Sequence, residues 1–351
     1  MSYRVPNVFH SCYRTRCSFD DHLQDMAETN HTPCRDINEF TLSGIPNLDN
    51  YNFWLGFLIA VMYVMAVLGN STILYIIRVD QELHGPMYIF LFLLAIVDIL
   101  IATTVMPRMV GIFWFNQRQI TFNMCLTQIF FIPFLSTLDS GILMAMAVDR
   151  YVSISHPLRY SSILTKQSIT KFSLVILIRG AAGLTPFPLL IKRIPLFQRN
   201  LLTHSYCLHQ EAMKLSCVDI KVNIIYGLFI ILYTMGMDSL FISISYMLII
   251  KTAVGLLAKA SLKAISTCAA HICAVLIYYI PLIGLSVVHR YPSHSAPNIH
   301  ILFGNVYLLL PPVINPLIYG IRTKQIRNRL IKSLSKLSQS KMCKNLKCVK
   351  P

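Results

Sequence analysis

Charged residues are scarce in this chain. Only 13% of its 351 residues are Asp, Glu, Lys or Arg, whereas soluble domains carry about 25%. Hydrophobic residues make up 55% of the sequence, and the mean hydropathy is +0.57. A soluble globular protein is therefore excluded, and the composition indicates a chain that lies within a membrane.

The N-terminal segment lacks the apolar core of a cleaved signal peptide. Its first 25 residues instead contain three arginines and three aspartates. The first apolar segment of the chain is therefore expected to direct membrane insertion. Because residues 1–52 are polar and show no clear periodicity, they are predicted to form a flexible extracellular tail.

Seven long apolar runs follow this tail. Each contains roughly 20 or more residues, enough to cross about 30 Å of hydrocarbon as a helix. Strands are excluded because a lone strand in lipid would leave its backbone groups unpaired. The predicted fold class is an all-α membrane protein, a seven-helix transmembrane bundle over 53–319 with spans at about 53–77, 86–109, 122–148, 168–190, 222–250, 264–288 and 299–319.

The distribution of Lys and Arg predicts the orientation, because short loops rich in them stay cytoplasmic. With the N-terminus outside, the inner loops and the basic cytoplasmic tail 320–351 contain eighteen cations and three carboxylates. The outer side then contains eleven cations and nine carboxylates. The net charge of +16 is thus mainly a property of the inner face, where it suits membrane lipid and an acidic protein partner rather than nucleic acid.

The cytoplasmic tail has apolar residues near i, i+4 spacing. This pattern predicts a short amphipathic helix along the membrane surface. A solvated basic tail is the alternative interpretation. The apolar positions are Ile326, Leu330, Ile331, Leu334 and Leu337.

Several features are expected on the outer side. Asn30 begins an Asn-x-Thr sequon and is a predicted glycosylation site. Of the ten cysteines, only those on the oxidising side should pair. Cys125 opens the third span, and Cys207 lies in the long loop 191–221. A disulfide between Cys125 and Cys207 is predicted to hold this loop as a lid on the bundle.

Charged residues within the spans each require a partner or a water-filled cavity. Asp98 and Asp139 both lie at mid-span, where they are expected to reach one polar pocket. With hydroxyls such as Ser136 and Ser140, the two carboxylates are predicted to bind Na⁺, or else to share a proton. No other cofactor is predicted. The charged residues in question are Asp98, Asp139, Arg179 and Asp238.

Two motifs at span ends predict conformational switches. Asp149, Arg150 and Tyr151 end the third span, where an ion pair between the first two would act as a latch. A simple interface charge pair is the alternative. In the seventh span, Asn315-Pro316-Leu317-Ile318-Tyr319 contains a proline that removes one backbone hydrogen bond. A side chain or water must satisfy the freed carbonyl, and the bend is expected to change between states.

Together, these motifs resemble the rhodopsin-like G-protein-coupled receptors and, among them, the odorant receptors. The resemblance covers about residues 40–330. It implies a plasma-membrane receptor in which Asp149, Arg150, Tyr151, Asn315, Pro316 and Tyr319 serve coupling to a heterotrimeric G protein. The matching residues are Gly69-Asn70, Pro86-Met87-Tyr88, the run from Met144 to Tyr151, Ser245-Tyr246, the run from Lys263 to Cys268, and the run from Pro311 to Pro316.

The stretch from Ile283 to Tyr291 and the long second outer loop resemble the class I, fish-like branch of that family. This resemblance implies recognition of water-soluble odorants such as carboxylic acids. Arg290 would pair with the ligand carboxylate, and Ser286 and Gln210 would lie beside it. An outer-rim cation that meets Glu211, Asp219 or a lipid headgroup is the alternative for Arg290.

The chain also departs from the family pattern. Pro133 and Phe134 replace a polar pair at the ligand pocket, so a more apolar pocket is expected around Pro133. Phe197 stands where relatives have a cysteine that bridges to the position of Cys217, so Cys217 is predicted to be unpaired. The segment from Leu256 to Leu262 lacks the usual polar run of the third inner loop. A non-coupling or decayed receptor is therefore the alternative function.

Other functional classes fit the sequence less well. An opsin requires a lysine in the seventh span, and 299–319 contains none. No internal repeat of the kind found in transporters is present. His271 is the lone intramembrane histidine, so no nucleophile–base or metal constellation of an enzyme is apparent. The predicted function is an odorant receptor that activates a stimulatory, olfactory-type G protein and carries out no bond chemistry.

Overall fold

Seven long helices dominate the structure. The computed structural model describes residues 34–44, 51–194, 196–255, 258–290, 297–323 and 325–332, with the backbone alone for 258–267, 286–290, 297–300 and 322. Within these residues, seven helices are long and apolar enough to cross a membrane, which confirms the predicted seven-helix bundle. They are α1 (Asn52–Val79), α2 (Pro86–Phe115), α3 (Phe122–Ser155), α4 (Lys166–Lys192), α5 (Lys221–Val254), α6 (Ala258–Arg290) and α7 (Pro297–Arg322).

Short elements connect the long helices. Three short strands form one sheet at the end of the bundle where α1 begins, which we call the sheet end; the opposite end is called the Arg150 end. The strands are β1 (Glu39–Leu42), β2 (Gln119–Thr121) and β3 (Leu201–Leu202), in the order β2-β1-β3. Short helical segments span Gln81–Leu83, Pro157–Arg159, Tyr160–Ile163, His209–Lys214 and 325–332.

Local sequence signals explain several helix ends. α2 begins at Pro86, whose ring fixes φ and whose missing N–H is not needed in a first turn. It ends before Asn116, which adopts the left-handed conformation at φ 53° that closes many helices. Thr165 caps α4, because its side chain accepts a hydrogen bond from the backbone N–H of Ser168.

α3 lies at the centre of the bundle. It is the most buried span. In its apolar stretch of 18 residues, 72% of the residues are buried inside the protein, against 22% in the corresponding stretches of α1 and α5. Its neighbours approach closely where glycine removes a side chain. A Cβ at Gly141 of α3 would meet Cγ2 of Ile176 in α4 at 2.6 Å, so a larger residue would force the Ile176 side chain or the two helices to shift.

Part of the predicted flexible tail is ordered, which corrects the prediction for 1–52. β1 pairs antiparallel with β2 and parallel with β3. Its side chains alternate, and Phe40 and Leu42 are fully buried, as in a strand with one face on a core. The alternation in Glu39-Phe40-Thr41-Leu42 is the sequence signal for this strand.

The prediction that Cys217 is unpaired is also wrong. Cys217 forms a disulfide with Cys34 of the N-terminal segment. Phe197, which replaces the family's usual cysteine, is buried in the core of the sheet end, and its backbone bonds to that of Arg35. Cys34 of the N-terminal segment therefore replaces the missing cysteine as the partner of Cys217. The same segment packs against the loop that contains Phe197.

The end of α7 leads into the helix 325–332. Ile326 is fully buried and Leu330 packs against the same core, as the amphipathic prediction expects, whereas Ile331 is exposed. Arg329 forms ion pairs with Asp80 and Glu82 near the start of α2. Leu334 and Leu337 lie outside the described residues.

Candidate functional site

The loop between α4 and α5 enters the sheet end of the bundle. The predicted disulfide between Cys125 of α3 and Cys207 is present. Residues from His204 to Cys207 are each at most 2% exposed, although they belong to a polar loop. The backbone N–H of Cys207 donates to the Gln128 side chain of α3 at 3.1 Å. This segment is thus built into the bundle as a buried plug over its interior.

Buried polar side chains lie in this plug and in the helices around it. The Tyr278 hydroxyl of α6 donates to the backbone carbonyl of Ser136 at 2.6 Å and lies 3.1 Å from the Tyr307 hydroxyl of α7. The side chain of Asn305, only 6% exposed, forms no hydrogen bond with any residue that the structure describes. The buried hydroxyl of Ser205 is in the same state. Uncompensated buried polar groups of this kind are suited to a polar ligand or to water.

The structure describes the side chains of two of the four predicted ligand residues. Gln210 is half-buried on the short helix His209–Lys214, and Pro133 is half-buried on α3. Ser286 and Arg290 lie on the last turns of α6, but their side chains are outside the described part of the chain. Phe134, beside Pro133, packs toward Gly180 of α4 and stacks on Phe130 of α3.

The short helix His209–Lys214 fixes the charges near the lid. The His209 ring stacks on Phe187 at 4.5 Å, and burial lowers the pKa of His209 to about 4. Burial alone would raise the pKa of Glu211, but a hydrogen bond from Thr203 and the Lys214 ammonium hold it below its usual value. His209 is therefore neutral and Glu211 is ionised near pH 7.

A second polar network crosses the middle of the bundle. The Arg179 guanidinium of α4 binds Asp238 of α5 through two hydrogen bonds of 2.6 and 2.7 Å. The Ser140 hydroxyl of α3 donates to the same carboxylate at 2.8 Å and lies 2.8 Å from the Tyr279 hydroxyl of α6. The two charges that required partners thus satisfy each other, and the network joins four helices.

Asp238 follows an irregular turn of α5. Residues Leu232–Gly236 form a π-helical segment, which inserts one extra residue into the helix. Such a turn changes the face on which all later side chains lie. Asp238 is completely buried, whereas the adjacent Met237 is 40% exposed. The irregular turn therefore helps to direct the carboxylate inward.

The predicted ion site contains two fully buried carboxylates. Asp98 accepts hydrogen bonds from the Asn315 amide at 3.1 and 3.3 Å. Asp139 is 1% exposed, and its Oδ1 has no hydrogen-bond partner among the described residues. Ser140, predicted to join this site, is committed to Asp238 instead, which corrects that part of the donor set. The unpaired oxygen of Asp139 fits a cation or a shared proton.

The switch residues of α3 lie together at the Arg150 end. A guanidinium nitrogen of Arg150 lies 3.1 Å from the Asp149 carboxylate, in the predicted pairing. Tyr160 donates a hydrogen bond of 2.7 Å to the other oxygen of Asp149. Burial and the nearby carboxylate raise the pKa of Tyr160, so the hydroxyl stays protonated and can donate. Tyr151 packs edge-on against His156.

The freed carbonyl of α7 has a protein partner. Pro316 lacks the N–H that would bond to the carbonyl of Pro312, four residues earlier. The Asn70 amide of α1 donates to that carbonyl at 2.9 Å. Tyr319, one turn beyond, is fully buried, and its hydroxyl lies 4.0 Å from the sulfur of Met146 in α3. The interrupted helix is thus held by its neighbours.

Sequence reasoning missed several of these contacts. His271, the lone intramembrane histidine, bridges the Tyr246 hydroxyl at 2.5 Å and the Leu143 carbonyl at 3.0 Å, which ties α5, α6 and α3 together. Tyr160 and Asn305 were not singled out. Polar residues within apolar spans were the available signal for Asn305 and for the tyrosines of α6 and α7.

Comparisons with known proteins agree with this arrangement. The sequence model of the family described as Olfactory receptor matches residues 59–337. The chain is 50% identical over 293 residues to human Olfactory receptor 51E1, an alignment that covers 84% of this chain and 92% of that protein. It is also 50% identical to mouse Olfactory receptor 51E2, with 83% and 92% covered, and 47% identical to human Olfactory receptor 51G2, with 83% and 93% covered.

Proposed function

Since the chain belongs to the olfactory receptor family, whose members are receptors and not enzymes, we propose that it binds a small odorant beneath the plug His204–Cys207 and activates a stimulatory, olfactory-type G protein. The observation that carries this proposal is the plug itself. It carries the uncompensated hydroxyl of Ser205 and packs against Gly304 of α7, next to the uncompensated Asn305, so a ligand at the sheet end can satisfy both groups. The class I relatives support the same assignment.

The orientation is part of the proposal. The N-terminus lies outside the cell and the C-terminus lies in the cytoplasm of a multi-pass plasma-membrane protein. Both disulfides and the sheet lie at the end of the bundle that contains few excess cations, as an oxidising outer face requires. The Arg150 end carries the excess of Lys and Arg, as cytoplasmic loops do.

The ligand is a carboxylic acid held by Arg290, with Ser286 and Gln210 as hydrogen-bonding neighbours. Arginine suits this role because it stays charged and binds a carboxylate through two hydrogen bonds. Two ion pairs in the loop between α4 and α5 support this role of Arg290. Glu211 already pairs with Lys214, and Asp219 pairs with Lys221, so both carboxylates that could have neutralised Arg290 have other cations.

Cyclic AMP in cells that express the receptor tests the ligand and the coupling together. Wild type should respond to short- and medium-chain carboxylic acids and not to the matched alcohols. Arg290→Ala should lose at least tenfold in potency, because a hydrogen-bonded charge pair typically contributes about 1.5–3 kcal/mol. Arg199→Ala, which removes an exposed arginine of the loop between α4 and α5, should respond like wild type.

Two results would count against the proposal. An acid response that Arg290→Ala retains in full would show that Arg290 does not hold the ligand. Silence to every acid and alcohol, with surface expression proven by antibody labelling, would favour the alternative of a receptor that does not couple. The segment Leu256–Leu262, on which that alternative rests, includes residues outside the described part of the chain.

Activation uses the contacts of α3 at the Arg150 end. Ligand binding biases the bundle toward a second packing in which α6 moves outward and Arg150 leaves Asp149. The freed arginine then faces the G protein. The 3.1 Å pair and the Tyr160 bond to Asp149 support this assignment, because they hold the arginine side chain inward in the present packing.

Asp98 and Asp139 bind Na⁺ in the resting packing. The unpaired Oδ1 of Asp139 and the nearby Asp98 carboxylate supply hard oxygen donors. NaCl should therefore raise the thermal unfolding midpoint of purified wild type more than choline chloride at equal ionic strength. Asp139→Asn should lose this difference, and Asp219→Asn, an exposed carboxylate, should keep it. An equal rise in both salts would point to a shared proton instead.

A further inference from the structure

A groove runs along the outside of the bundle between α1, α7 and the helix 325–332. Its volume is about 400 Å³, within the range of about 300–1,000 Å³ typical of small-molecule sites. The wall from Met65 to Ile73 on α1 is about 12 Å long at 1.5 Å per residue. Nearly all of the lining is apolar, and the one hydroxyl, that of Thr72, already donates to the carbonyl of Leu68.

The floor of the groove is tight, whereas its upper part is open. A Cβ at Gly69 of α1 would meet Pro316 of α7 at 2.9 Å, so these two helices touch at the floor. A Cβ at Gly320, one turn further along α7, would meet no atom within 4 Å. The rim residues Leu68 and Ile321 are about 60% exposed, so the groove continues into the lipid-facing surface.

One end of the groove carries a cation. Arg327 lies on the lining and is exposed, and the one hydrogen bond of its side chain to a described residue goes to the backbone carbonyl of Ile321 at 3.4 Å. No carboxylate among the described residues pairs with it. Arg329, two residues further, is held by Asp80 and Glu82. Arg327 therefore has guanidinium N–H groups available for an anion at the mouth of an apolar groove.

We propose that this groove binds one anionic phospholipid, with an acyl chain along Gly320 and the phosphate at Arg327. An apolar channel open to the bilayer accepts a hydrocarbon chain, and a cation at its mouth selects an anionic headgroup. A bound chain would contact α1, α7 and the helix 325–332 together, beside the Pro316 interruption. The site is separate from the odorant site and does not depend on it.

Native mass spectrometry of the purified full-length receptor in detergent tests this site. The probes are dioleoyl phosphatidylserine, dioleoyl phosphatidylcholine and glycerol 3-phosphate. Wild type should retain one phosphatidylserine with about fivefold higher affinity than phosphatidylcholine, the equivalent of about 1 kcal/mol per basic side chain near an anionic surface. Glycerol 3-phosphate should not bind or compete.

Two variants test the headgroup contact and the acyl-chain groove separately. Arg327→Gln should lower phosphatidylserine binding about fivefold, to the level of phosphatidylcholine. Gly320→Leu, which fills the open part of the groove, should weaken both lipids. The matched controls are Arg159→Gln, an exposed arginine of the short helical segment Pro157–Arg159 at the Arg150 end, and Gly227→Leu, where a Cβ on α5 also meets no atom within 4 Å. Both should bind lipid like wild type.

Several outcomes would overturn the proposal. Equal phosphatidylserine binding by wild type and Arg327→Gln, or an equal loss in Arg159→Gln, would remove the headgroup contact. Binding by Gly320→Leu at the wild-type level, with an unchanged thermal unfolding midpoint, would show that the acyl chain does not occupy the groove. Competition by glycerol 3-phosphate would reduce the site to a surface anion contact. Arg327→Gln changes an exposed side chain, so it remains decisive if Gly320→Leu fails to fold.

Discussion

Arg179 and Asp238 form a buried ion pair at the level of the membrane interior. The carboxylate is completely buried and the arginine side chain is 15% exposed. Removing one partner of such a pair leaves an uncompensated charge, which costs more than the pair itself contributes. Because Ser140 and Tyr279 complete the network, the contact also determines how α3, α4, α5 and α6 lie relative to one another.

Asp238→Asn should therefore destabilise the purified receptor by about 3–5 kcal/mol, the usual cost of breaking a buried pair. Thermal unfolding in detergent measures this. Arg179→Gln combined with Asp238→Asn should be less destabilised than the single variant, because no charge is left unpaired. Asp219→Asn breaks the exposed pair with Lys221 and should leave the unfolding midpoint unchanged. An equal fall in the unfolding midpoint for Asp238→Asn and Asp219→Asn would show that the buried pair contributes no more to stability than the exposed pair.

At the scale of elements, α7 depends on α1. The proline at 316 leaves the Pro312 carbonyl without its helical donor, and the Asn70 amide replaces that donor. The same amide also bonds to the Ala66 carbonyl of its own helix at 2.9 Å, which fixes its position. The interruption near Asn315 is therefore supported from one side by α1 and from the other by Asp98 of α2.

Asn70→Ala should destabilise the receptor by about 1–3 kcal/mol, because it leaves a buried carbonyl unsatisfied. Pro316→Ala restores a backbone N–H for that carbonyl. In the Pro316→Ala background, Asn70→Ala should therefore cost much less, and a double-mutant cycle by thermal unfolding measures the difference. Strictly additive effects of the two substitutions would contradict this role of Asn70.

At the scale of the whole molecule, two disulfides hold the sheet end. Cys125–Cys207 joins the plug to α3, and Cys34–Cys217 joins the N-terminal segment to the same loop. β1 lies between β2 and β3, so it links the segment before α3 to the loop after α4. The N-terminal segment is thus a structural part of the lid.

Cys34→Ser should lower the stability of the sheet end by about 2–4 kcal/mol, since the bridge closes a loop of 183 residues. Thermal unfolding without reductant measures the loss. Cys217→Ser should give the same loss, and the double variant should give no more. Cys273→Ser, which changes a free cysteine, serves as the control. Alkylation of Cys217 in unreduced, folded wild type would show that the bridge does not form.

The bundle was predictable because its signals are local. Apolar runs of sufficient length require helices in lipid, and Pro86 marks the start of α2 through the geometry of one turn. The site was predictable in part. Asp149 and Arg150 are adjacent in sequence, whereas the partner of Asp238 lies 59 residues earlier, at Arg179, and only the packing of α4 on α5 brings them together.

The apolar runs are sufficient to show that this chain spans a membrane seven times, because in hydrocarbon a lone segment can pair its backbone groups only as a helix, and the motifs are sufficient to identify the receptor family. Which distant groups meet depends on the packing of the helices and is visible only in the folded chain. Nothing local to Phe197 or Cys217 indicates that Cys34 becomes the partner, since a disulfide depends on which two chain segments fold to within a few ångströms of each other. The same holds for Asn70 and Pro312, whose contact exists only because α1 and α7 pack side by side.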